Sequence, residues 1–295
     1  MSDTVVQRGM LTVRTISEVR KAVGQARQAG RSVGFVPTMG ALHTGHYSLI
    51  TEARARCDFV VVSVFVNPTQ FCPGEDLDAY PRDLEVDHRG CEDAGVDLLF
   101  APEIAEVYPG APLTTVTVSK VTAPLCGRYR PEHFDGVTTV VAKLFNIVCP
   151  TMAFFGEKDY QQLTVVRKMV LDLDMPVEVV GCPTVREADG LAVSSRNGYL
   201  DVDQRKQATC LYRSMLEAAE AVRGGKRDAA ELVRQIERTI HAAGPATIDY
   251  VNVVDLVSLE DVEVVQRPVR ICMAVRIGDC RLIDNIGVDV PVEGE

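Results

Sequence analysis

Two histidines near a helix start are the first residues whose types and spacing indicate chemistry. They are His43 and His46, in the segment Pro37-Thr38-Met39-Gly40-Ala41-Leu42-His43-Thr44-Gly45-His46 between a predicted strand and a predicted helix. Backbone N–H groups at a helix N-terminus favour anions, and glycines let a phosphate approach the main chain. The alternative is that these polar side chains only cap the helix. The position directly after a buried strand favours phosphate binding.

A second polar segment also follows a predicted strand, Met152 to Phe155. Its sequence is Gly156-Glu157-Lys158-Asp159-Tyr160-Gln161-Gln162. Lys158 is suited to neutralise a phosphate, whereas Asp159 either meets a ribose hydroxyl or caps the next helix. Gln162, about one helical turn later, can hydrogen-bond a substrate from the same side, or it is an ordinary surface glutamine.

A third segment, residues 185–197, lies at a predicted domain junction. It reads Val185-Arg186-Glu187-Ala188-Asp189-Gly190-Leu191-Ala192-Val193-Ser194-Ser195-Arg196-Asn197. Two hydroxyls and a guanidinium suit a phosphate chain, although serines near a helix start are also common caps. Together the three segments favour a nucleotide site.

Alternating helices and strands must position these segments. Thr15-Ile16-Ser17-Glu18 has the form of a capping box. We predict strands at 32–36, stopping at Pro37, and at 59–66, 96–100 and 152–155, with helices near 16–29, 45–57, 83–94 and 137–148. The apolar 59–66 segment is typical of a parallel strand covered on both faces. This alternation predicts an α/β fold with a doubly wound parallel sheet, whose ligands lie at the carboxyl ends of the strands.

The pattern changes after Arg186, where two predicted helices at 202–223 and 227–243 precede short strands around 250–254 and 270–275. This order predicts a smaller α+β domain. We therefore expect a catalytic domain over 1–185, a smaller domain over 186–290 and a loose tail over 291–295.

Composition excludes several classes of protein. The 295 residues are 46% hydrophobic and 24% charged, as in ordinary globular proteins. No apolar run approaches the roughly 18–20 residues of a membrane span. The N-terminus lacks the pattern of a secretory signal, so the expected location is cytoplasmic. Nine cysteines without a CxxC pair indicate buried, reduced thiols. The net charge of −10 argues against a nucleic-acid partner.

Six segments together resemble the pantothenate synthetase (pantoate–β-alanine ligase) family of HIGH-type nucleotidyltransferases. The segments are PTMGALHTGH from Pro37, FVNPTQF from Phe65, YPRD from Tyr80, CGRYRPEHFDGVTTVVAKLFNIVCP from Cys126, FGEKDYQQL from Phe155 and DGLAVSSRN from Asp189. They cover roughly residues 35–200, and their order and spacing are specific to this family.

The resemblance implies a Rossmann-like domain that binds ATP and pantoate, a smaller C-terminal lid domain, and a homodimer. It implies that pantoate attacks Mg²⁺-bound ATP to give pantoyl adenylate and pyrophosphate. The amine of β-alanine then displaces AMP to form pantothenate. ATP is a substrate here, and no protein metal ligand is predicted.

The resemblance also implies roles for matching positions. We expect His46, His43, Lys158, Ser194, Ser195 and Arg196 to be catalytic. The expected ATP-binding residues are Pro37, Thr38, Met39, Gly40, Ala41, Leu42, His43, Thr44, Gly45, His46, Gly156, Glu157, Lys158, Asp159, Val185, Val193, Ser194, Ser195 and Arg196. Gln70 and Gln162 are expected to bind pantoate, and Gln70 also β-alanine.

Several neighbouring positions carry weaker expectations. Tyr80, Asn67 and Arg130 are expected near the pantoate pocket. Asp87 or Asp83 can reach magnesium, but a solvated helix face is the favoured interpretation. Val193 and Tyr47 depart from the family pattern, which more often has methionine at the first position and leucine or methionine at the second.

Three other functions remain open at this point. One is a nucleotidyltransferase of the same superfamily that transfers AMP or CMP to a phosphorylated substrate and catalyses no second step. The segments FGEKDYQQL and FVNPTQF, which contains Gln70, argue against it. Another is a catalytically inactive nucleotide-binding regulator, which the retained histidines and Lys158 disfavour. The last is an aminoacyl-tRNA synthetase fragment, which the acidic net charge disfavours.

Overall fold

A computed structural model describes residues 9–290 and divides them into two compact units. The first unit contains the described residues up to Thr117, together with Asp135–Gly156 and Val166–Cys182. The second contains Val118–Phe134, Glu157–Val165 and the described residues from Pro183 onward. The boundary between residues 185 and 186 stays a prediction, and the predicted tail 291–295 lies outside the described residues.

The first unit is built on a six-stranded, all-parallel sheet. Its strands are β1 (Leu11–Val13), β2 (Val33–Thr38), β3 (Phe59–Val64), β4 (Leu98–Phe100), β5 (Met152–Gly156) and β6 (Glu178–Cys182). The order across the sheet is β1-β4-β3-β2-β5-β6. From β2 the chain runs outward to β3 and β4 on one side, and β5 and β6 lie on the other. The carboxyl ends of β2 and β5 therefore flank a topological switch point, where ligands bind in open α/β sheets.

Helices α1 to α7 lie between these strands along the chain, three of them between β4 and β5. They are α1 (Ile16–Gln28), α2 (Thr44–Arg56), α3 (Leu84–Asp93), α4 (Ile104–Val107), α5 (Cys126–Tyr129), α6 (His133–Val148) and α7 (Tyr160–Asp172). The capping box at Thr15 and Glu18 is present at the start of α1. Strand β3 is buried from Phe59 to Ser63, as the apolar run predicts. The predicted doubly wound α/β fold is confirmed.

Strand β2 continues through Pro37 to Thr38, so the prediction that it stops at Pro37 is wrong. Proline cannot donate a ladder hydrogen bond and is normally excluded from central strands. Here β5 pairs only with Gly34 and Phe35. The nitrogen of Pro37 therefore lies beyond the part of β2 that is paired on both sides.

The second unit contains an antiparallel three-stranded sheet and two long helices. The strands, in spatial order, are β7 (Thr247–Asp255), β8 (Val269–Ile277) and β9 (Cys280–Val288); the helices are α8 (Val202–Arg223) and α9 (Ala229–Ala243). Apolar side chains of both helices, including Leu211, Met215 and Ile236, form one buried core with those of β8, including Met273. The predicted smaller α+β region is confirmed, but β9 and the full nine-residue length of each strand were not predicted.

All nine cysteines lie within the described residues and carry free thiols. Seven are buried, whereas Cys149 is exposed and Cys72 is half-exposed, so the prediction of burial is wrong for these two. Among residues 9–290 no helix combines the length and the hydropathy needed to cross a lipid bilayer.

Candidate active site

The loop between β2 and α2 is held close to the carboxyl end of the sheet. The hydroxyl of Thr38 donates to the carbonyl of Ser63 on β3 at 2.7 Å and accepts from the amide of Gly40 at 3.1 Å. Gly40 has φ of +87°, and Ala41 has φ of +50°, which is uncommon for a residue with a side chain. The chain therefore turns sharply between the strand and the helix.

A buried aspartate on α3 holds this turn. Asp87 is 1% exposed, and its two oxygens accept from the amides of Ala41 at 3.0 Å and Leu42 at 2.7 Å. A Cβ atom at Gly40 would lie 2.8 Å from Oδ2 of Asp87, so the turn needs glycine there. Burial raises the pKa of this carboxyl, and the two amide hydrogen bonds oppose that shift. The interpretation of Asp87 as part of a solvated helix face is wrong, because its carboxylate faces inward onto two N–H donors.

We expect Asp87→Ala to lower the free energy of unfolding by about 1–3 kcal/mol, because two part-buried amides lose their acceptor. Asp93→Ala is the matched control, since Asp93 is an exposed aspartate on the same helix and its loss removes the same charge. Urea denaturation of both variants at neutral pH measures the difference. Equal stability of the two variants would contradict this role of Asp87.

The two histidines form a reciprocal cap at the start of α2. Nδ1 of His43 accepts from the amide of Gly45 at 3.2 Å, and Nδ1 of His46 accepts from the amide of His43 at 3.4 Å. Their rings stack with centroids 4.1 Å apart. Because Nδ1 is the acceptor in both rings, the hydrogen-bond network places the proton of each neutral imidazole on Nε2. Capping and phosphate binding are therefore compatible, since they use different ring nitrogens.

Gln70 is oriented by a buried asparagine in the first unit. The side-chain amide of Asn67, a residue only 1% exposed, donates to Oε1 of Gln70 and to the carbonyl of Gly136, both at 3.1 Å. Its Oδ1 accepts from the hydroxyl of Tyr108 at 3.0 Å. Nε2 of Gln70 in turn lies 3.2 Å from Sδ of Met39. The structure thus brings Gln70 against the loop that follows β2.

In the second unit, Glu157–Asp159 form a single 3-10 turn that leads into α7. Gln161 is buried, and its side chain bonds the amide of Cys126 at 3.0 Å and the carbonyls of Val121 and Pro124 at 3.0 and 2.7 Å. Its neighbour Gln162 is half-exposed. Gln161 was not predicted as a structural residue, although adjacent glutamines at a helix start point to different faces of the helix.

The segment from Val185 to Arg196 is a tight turn followed by a capped helical turn. The amide of Val193 donates to the carbonyl of Val185 at 3.0 Å, and Arg186 pairs with Ala192 across the turn. Ser194 caps the 3-10 turn Ser195–Tyr199, accepting from the amide of Arg196 at 3.3 Å. Ser194 therefore caps this turn, as the alternative interpretation predicts. Its hydroxyl oxygen is the acceptor in the cap, so the hydroxyl proton can still donate a hydrogen bond to a ligand.

The predicted site residues are divided between the two units. Residues 37–46, Gln70 and Gly156 belong to the first unit; Glu157, Lys158, Asp159, Gln162, Val185 and 193–196 belong to the second. Of the neighbours with weaker expectations, Tyr80 is buried and packs edge-on against Phe71, with ring centroids 6.0 Å apart. Arg130 lies in the second unit, with NH1 3.1 Å from Nε2 of His133.

Tyr47, one of the two departures from the family pattern, packs on α3. A Cβ atom at Gly90 would lie 2.1 Å from its hydroxyl oxygen. The tyrosine therefore fits because glycine occupies the facing position on α3.

Comparison with known proteins shows to which family the chain is similar. The family model described as pantoate-beta-alanine ligase matches residues 11–287. A pantothenate synthetase from Pelotomaculum thermopropionicum is 54% identical over 276 residues, which are 94% of this chain and 98% of that protein. The crystal structure of pantothenate synthetase from Thermus thermophilus has a TM-score of 0.89 at 50% identity, covering 94% of this chain and 99% of the other.

A more distant relative has been solved with ligands. The pantoate-beta-alanine ligase from Francisella tularensis, described as complexed with beta-gamma ATP and beta-alanine, has a TM-score of 0.80 at 34% identity. It covers 94% of this chain and 97% of the other. With a family model that spans nearly the whole chain, and with relatives that match over almost their full length, this chain belongs to the pantoate–β-alanine ligase family.

Proposed function

We propose that this chain condenses pantoate with β-alanine at the expense of ATP, through pantoyl adenylate. The pantoate carboxylate attacks the α-phosphorus of ATP, and pyrophosphate leaves. The amine of β-alanine then attacks the activated carbonyl, and AMP leaves with the carboxylate oxygen. Activation is required because a free carboxylate is a poor acyl donor. The observation that carries this proposal is the pair of histidines capping α2 at the switch point of the parallel sheet.

His43 and His46 are proposed to stabilise the charge that develops on the phosphates as the α-phosphorus is attacked. Each ring accepts a main-chain hydrogen bond at Nδ1, so each is preorganised with an N–H donor at Nε2. The N-terminus of α2 adds a favourable field for an anion. Lys158, Ser194, Ser195 and Arg196 are proposed to grip the phosphate chain with further donors.

The proposed remainder of the nucleotide site is mostly main chain. Met39, Gly40, Gly156, Asp159 and Val185 are proposed to contact adenine and ribose. The sharp turn at Gly40 and Ala41, fixed by Asp87, leaves little room for side chains on the strand side of the loop.

Gln70 and Gln162 are proposed to hold pantoate, and Gln70 also to lie near β-alanine. A neutral amide orients the pantoate carboxylate with less loss of nucleophilicity than a full positive charge would cause. Support for Gln70 comes from two of its contacts, since Asn67 fixes Oε1 and Met39 of the ATP loop lies against Nε2.

We also propose that magnesium accompanies ATP. Both oxygens of Asp87 accept amide hydrogens, and Oδ1 of Asp83 accepts from the amide of Val86 at 3.1 Å. Within residues 9–290, no group of three or more His, Cys, Asp or Glu side chains is arranged to hold a metal ion. We propose that phosphate oxygens and water supply most ligands, as is common for magnesium. The bound ion would neutralise phosphate charge during the attack.

A homodimer and a cytoplasmic location are further proposals. The free thiols of all nine cysteines support a reducing compartment. Light scattering on the purified chain measures the oligomeric state.

Pantoate-dependent exchange of labelled pyrophosphate into ATP, with β-alanine omitted, tests the proposed function. Exchange that requires pantoate supports the acyl-adenylate mechanism, because only a reversible adenylation returns label to ATP. A chain that binds ATP but gives no exchange with pantoate would contradict it. Exchange that proceeds with a different acid would favour another transferase of the superfamily.

We expect Asn67→Ala to raise the KM for pantoate by about 10-fold while the KM for ATP changes little. The reason is that Gln70 loses the donor that fixes its Oε1. Asn146→Ala is the control, since Asn146 is an exposed asparagine of the same unit, bonded only locally to the carbonyl of Ala142 on α6. Initial-rate measurements with each substrate varied give both constants. An equal rise in both KM values would argue for a general structural defect.

A further inference from the structure

Two consecutive polar residues of strand β9, Asp284 and Asn285, are buried. Asp284 is 3% exposed and Asn285 is 4% exposed, although apolar residues such as Leu282 and Val288 are buried in the same strand. Buried polar groups cost free energy unless they are hydrogen-bonded, so their partners indicate what the residues do. Consecutive strand residues point to opposite faces, and these two side chains have different partners.

The side chain of Asn285 holds the segment that contains Lys158. Its Nδ2 donates to the carbonyl of Glu157 at 3.0 Å and to the carbonyl of Lys158 at 2.8 Å. These carbonyls belong to the two peptide planes on either side of the Lys158 α-carbon. Because peptide planes are rigid, fixing both of them fixes the direction in which the Lys158 side chain leaves the backbone.

An arginine reinforces this contact. Arg270 donates from Nε to Oδ1 of Asn285 at 2.7 Å and from NH2 to Oε2 of Glu157 at 3.1 Å. Its guanidinium also lies 3.9 Å from the centroid of the Tyr160 ring. Both amide hydrogens of Asn285 therefore bond to residues 157 and 158, and its oxygen accepts from Arg270, which itself contacts Glu157 and Tyr160.

Asp284 holds the other proposed phosphate-binding segment. Its carboxylate accepts two hydrogen bonds from Arg186, at 2.7 and 2.9 Å, in a bidentate pair. Arg186 also donates to the carbonyl of Gly190 at 3.1 Å and lies 3.7 Å from the centroid of the Tyr212 ring. Asp284 thus fixes the turn from which the chain continues into Ser194, Ser195 and Arg196.

We propose that Asp284 and Asn285 are positioning residues, which fix the two phosphate-binding segments of the second unit from one point on β9. Asn285 acts through the main chain at Lys158, and Asp284 acts through Arg186. This inference rests on the proposed role of Lys158. All the contacts that carry it lie within the second unit.

The test is equilibrium binding of a non-hydrolysable ATP analogue to the full chain, measured by titration calorimetry. Asn285→Ala weakens binding by about 10–100-fold, because the lysine loses its fixed direction. Lys158→Ala also weakens binding. The double variant binds within about 2-fold of Lys158→Ala alone, because Asn285 has no effect once the lysine side chain is absent.

The control is Asn252→Ala, which removes an asparagine of β7 that bonds Asp261 at 2.7 Å. It leaves analogue binding unchanged, and in all variants the KM for pantoate changes little. If Asn285→Ala does not fold, Asn285→Ser takes its place, since a serine hydroxyl stays polar but is too short to bond both carbonyls.

The outcomes distinguish failure of the proposed role of Lys158 from failure of the proposed positioning role of Asn285. Normal binding by Lys158→Ala would overturn the proposed role of Lys158 itself. Weak binding by Lys158→Ala together with normal binding by the folded Asn285 variant would overturn the positioning role alone. Fully additive losses in the double variant would overturn it as well.

Discussion

Lys158→Ala is expected to lower pantoate-dependent pyrophosphate exchange by at least about 10³-fold while the chain stays folded. Lys158 is half-buried in the single turn that follows β5, and its main chain is fixed by Asn285. A fixed ammonium group stabilises negative charge on the phosphates without reorganising during the reaction. Removal of that charge is therefore expected to affect the adenylation step much more than the fold.

The control for Lys158 is Lys168→Ala. Lys168 lies on α7 and forms an exposed ion pair with Asp172 at 2.5 Å, a contact that contributes little to stability. Both variants lose one positive charge, so a general charge effect would appear in both. Thermal unfolding checks that each variant is folded. Exchange by Lys158→Ala at the wild-type rate would remove this lysine from the site.

The parts of the fold that could be predicted from sequence are those where a local pattern and a buried environment agree. The apolar run at 59–66 marks β3 because both of its faces are covered in a parallel sheet. The capping box at Thr15 and Glu18 marks the start of α1 because its hydrogen bonds are local. The position of residues 37–46 between a strand and a helix could be predicted from the same kinds of local pattern.

The missed features depend on contacts between distant parts of the chain. Asp87 lies 45 residues from Leu42, whose amide donates to its carboxylate. Because α3 also carries charged residues such as Glu85 and Arg89, its sequence resembles a solvated helix face. Asn285 meets Glu157 across 128 positions of sequence. The periodicity of a sequence does not indicate which distant residues will contact each other. A signal was present in β9, where two consecutive polar residues follow the apolar pair Leu282 and Ile283, but their partners could be assigned only from the structure.

The segments of the proposed site could be predicted from the sequence, whereas the hydrogen bonds that fix their local geometry are seen only in the structure. The example is the histidine pair, for which capping and phosphate binding were alternatives. The structure has both rings capping through Nδ1, and this arrangement leaves Nε2 as the donor that the proposed reaction requires. The two interpretations are therefore complementary, and a substitution can separate them.

His46→Ala is expected to lower pantoate-dependent exchange by about 10²–10³-fold, because the adenylation step loses a preorganised donor. It also removes the acceptor for the amide of His43, which costs about 1 kcal/mol of stability. His46→Gln separates these effects, since glutamine at this position of a capping box can accept from the same amide. We expect the glutamine variant to regain stability but to remain at least about 10-fold slower.

Exchange rates and thermal unfolding of both His46 variants measure the two effects independently, with exposed His241→Ala on α9 as the control. A slow but stable glutamine variant would assign the catalytic contribution to the imidazole Nε2, because the helix cap would then be intact. Full activity with full stability would show that a side-chain amide can replace the imidazole as both cap and donor, and the imidazole itself would then not be required. Full activity of His46→Ala would remove the residue from the mechanism, and the electrostatic task at the start of α2 would fall to His43 and the helix N-terminus.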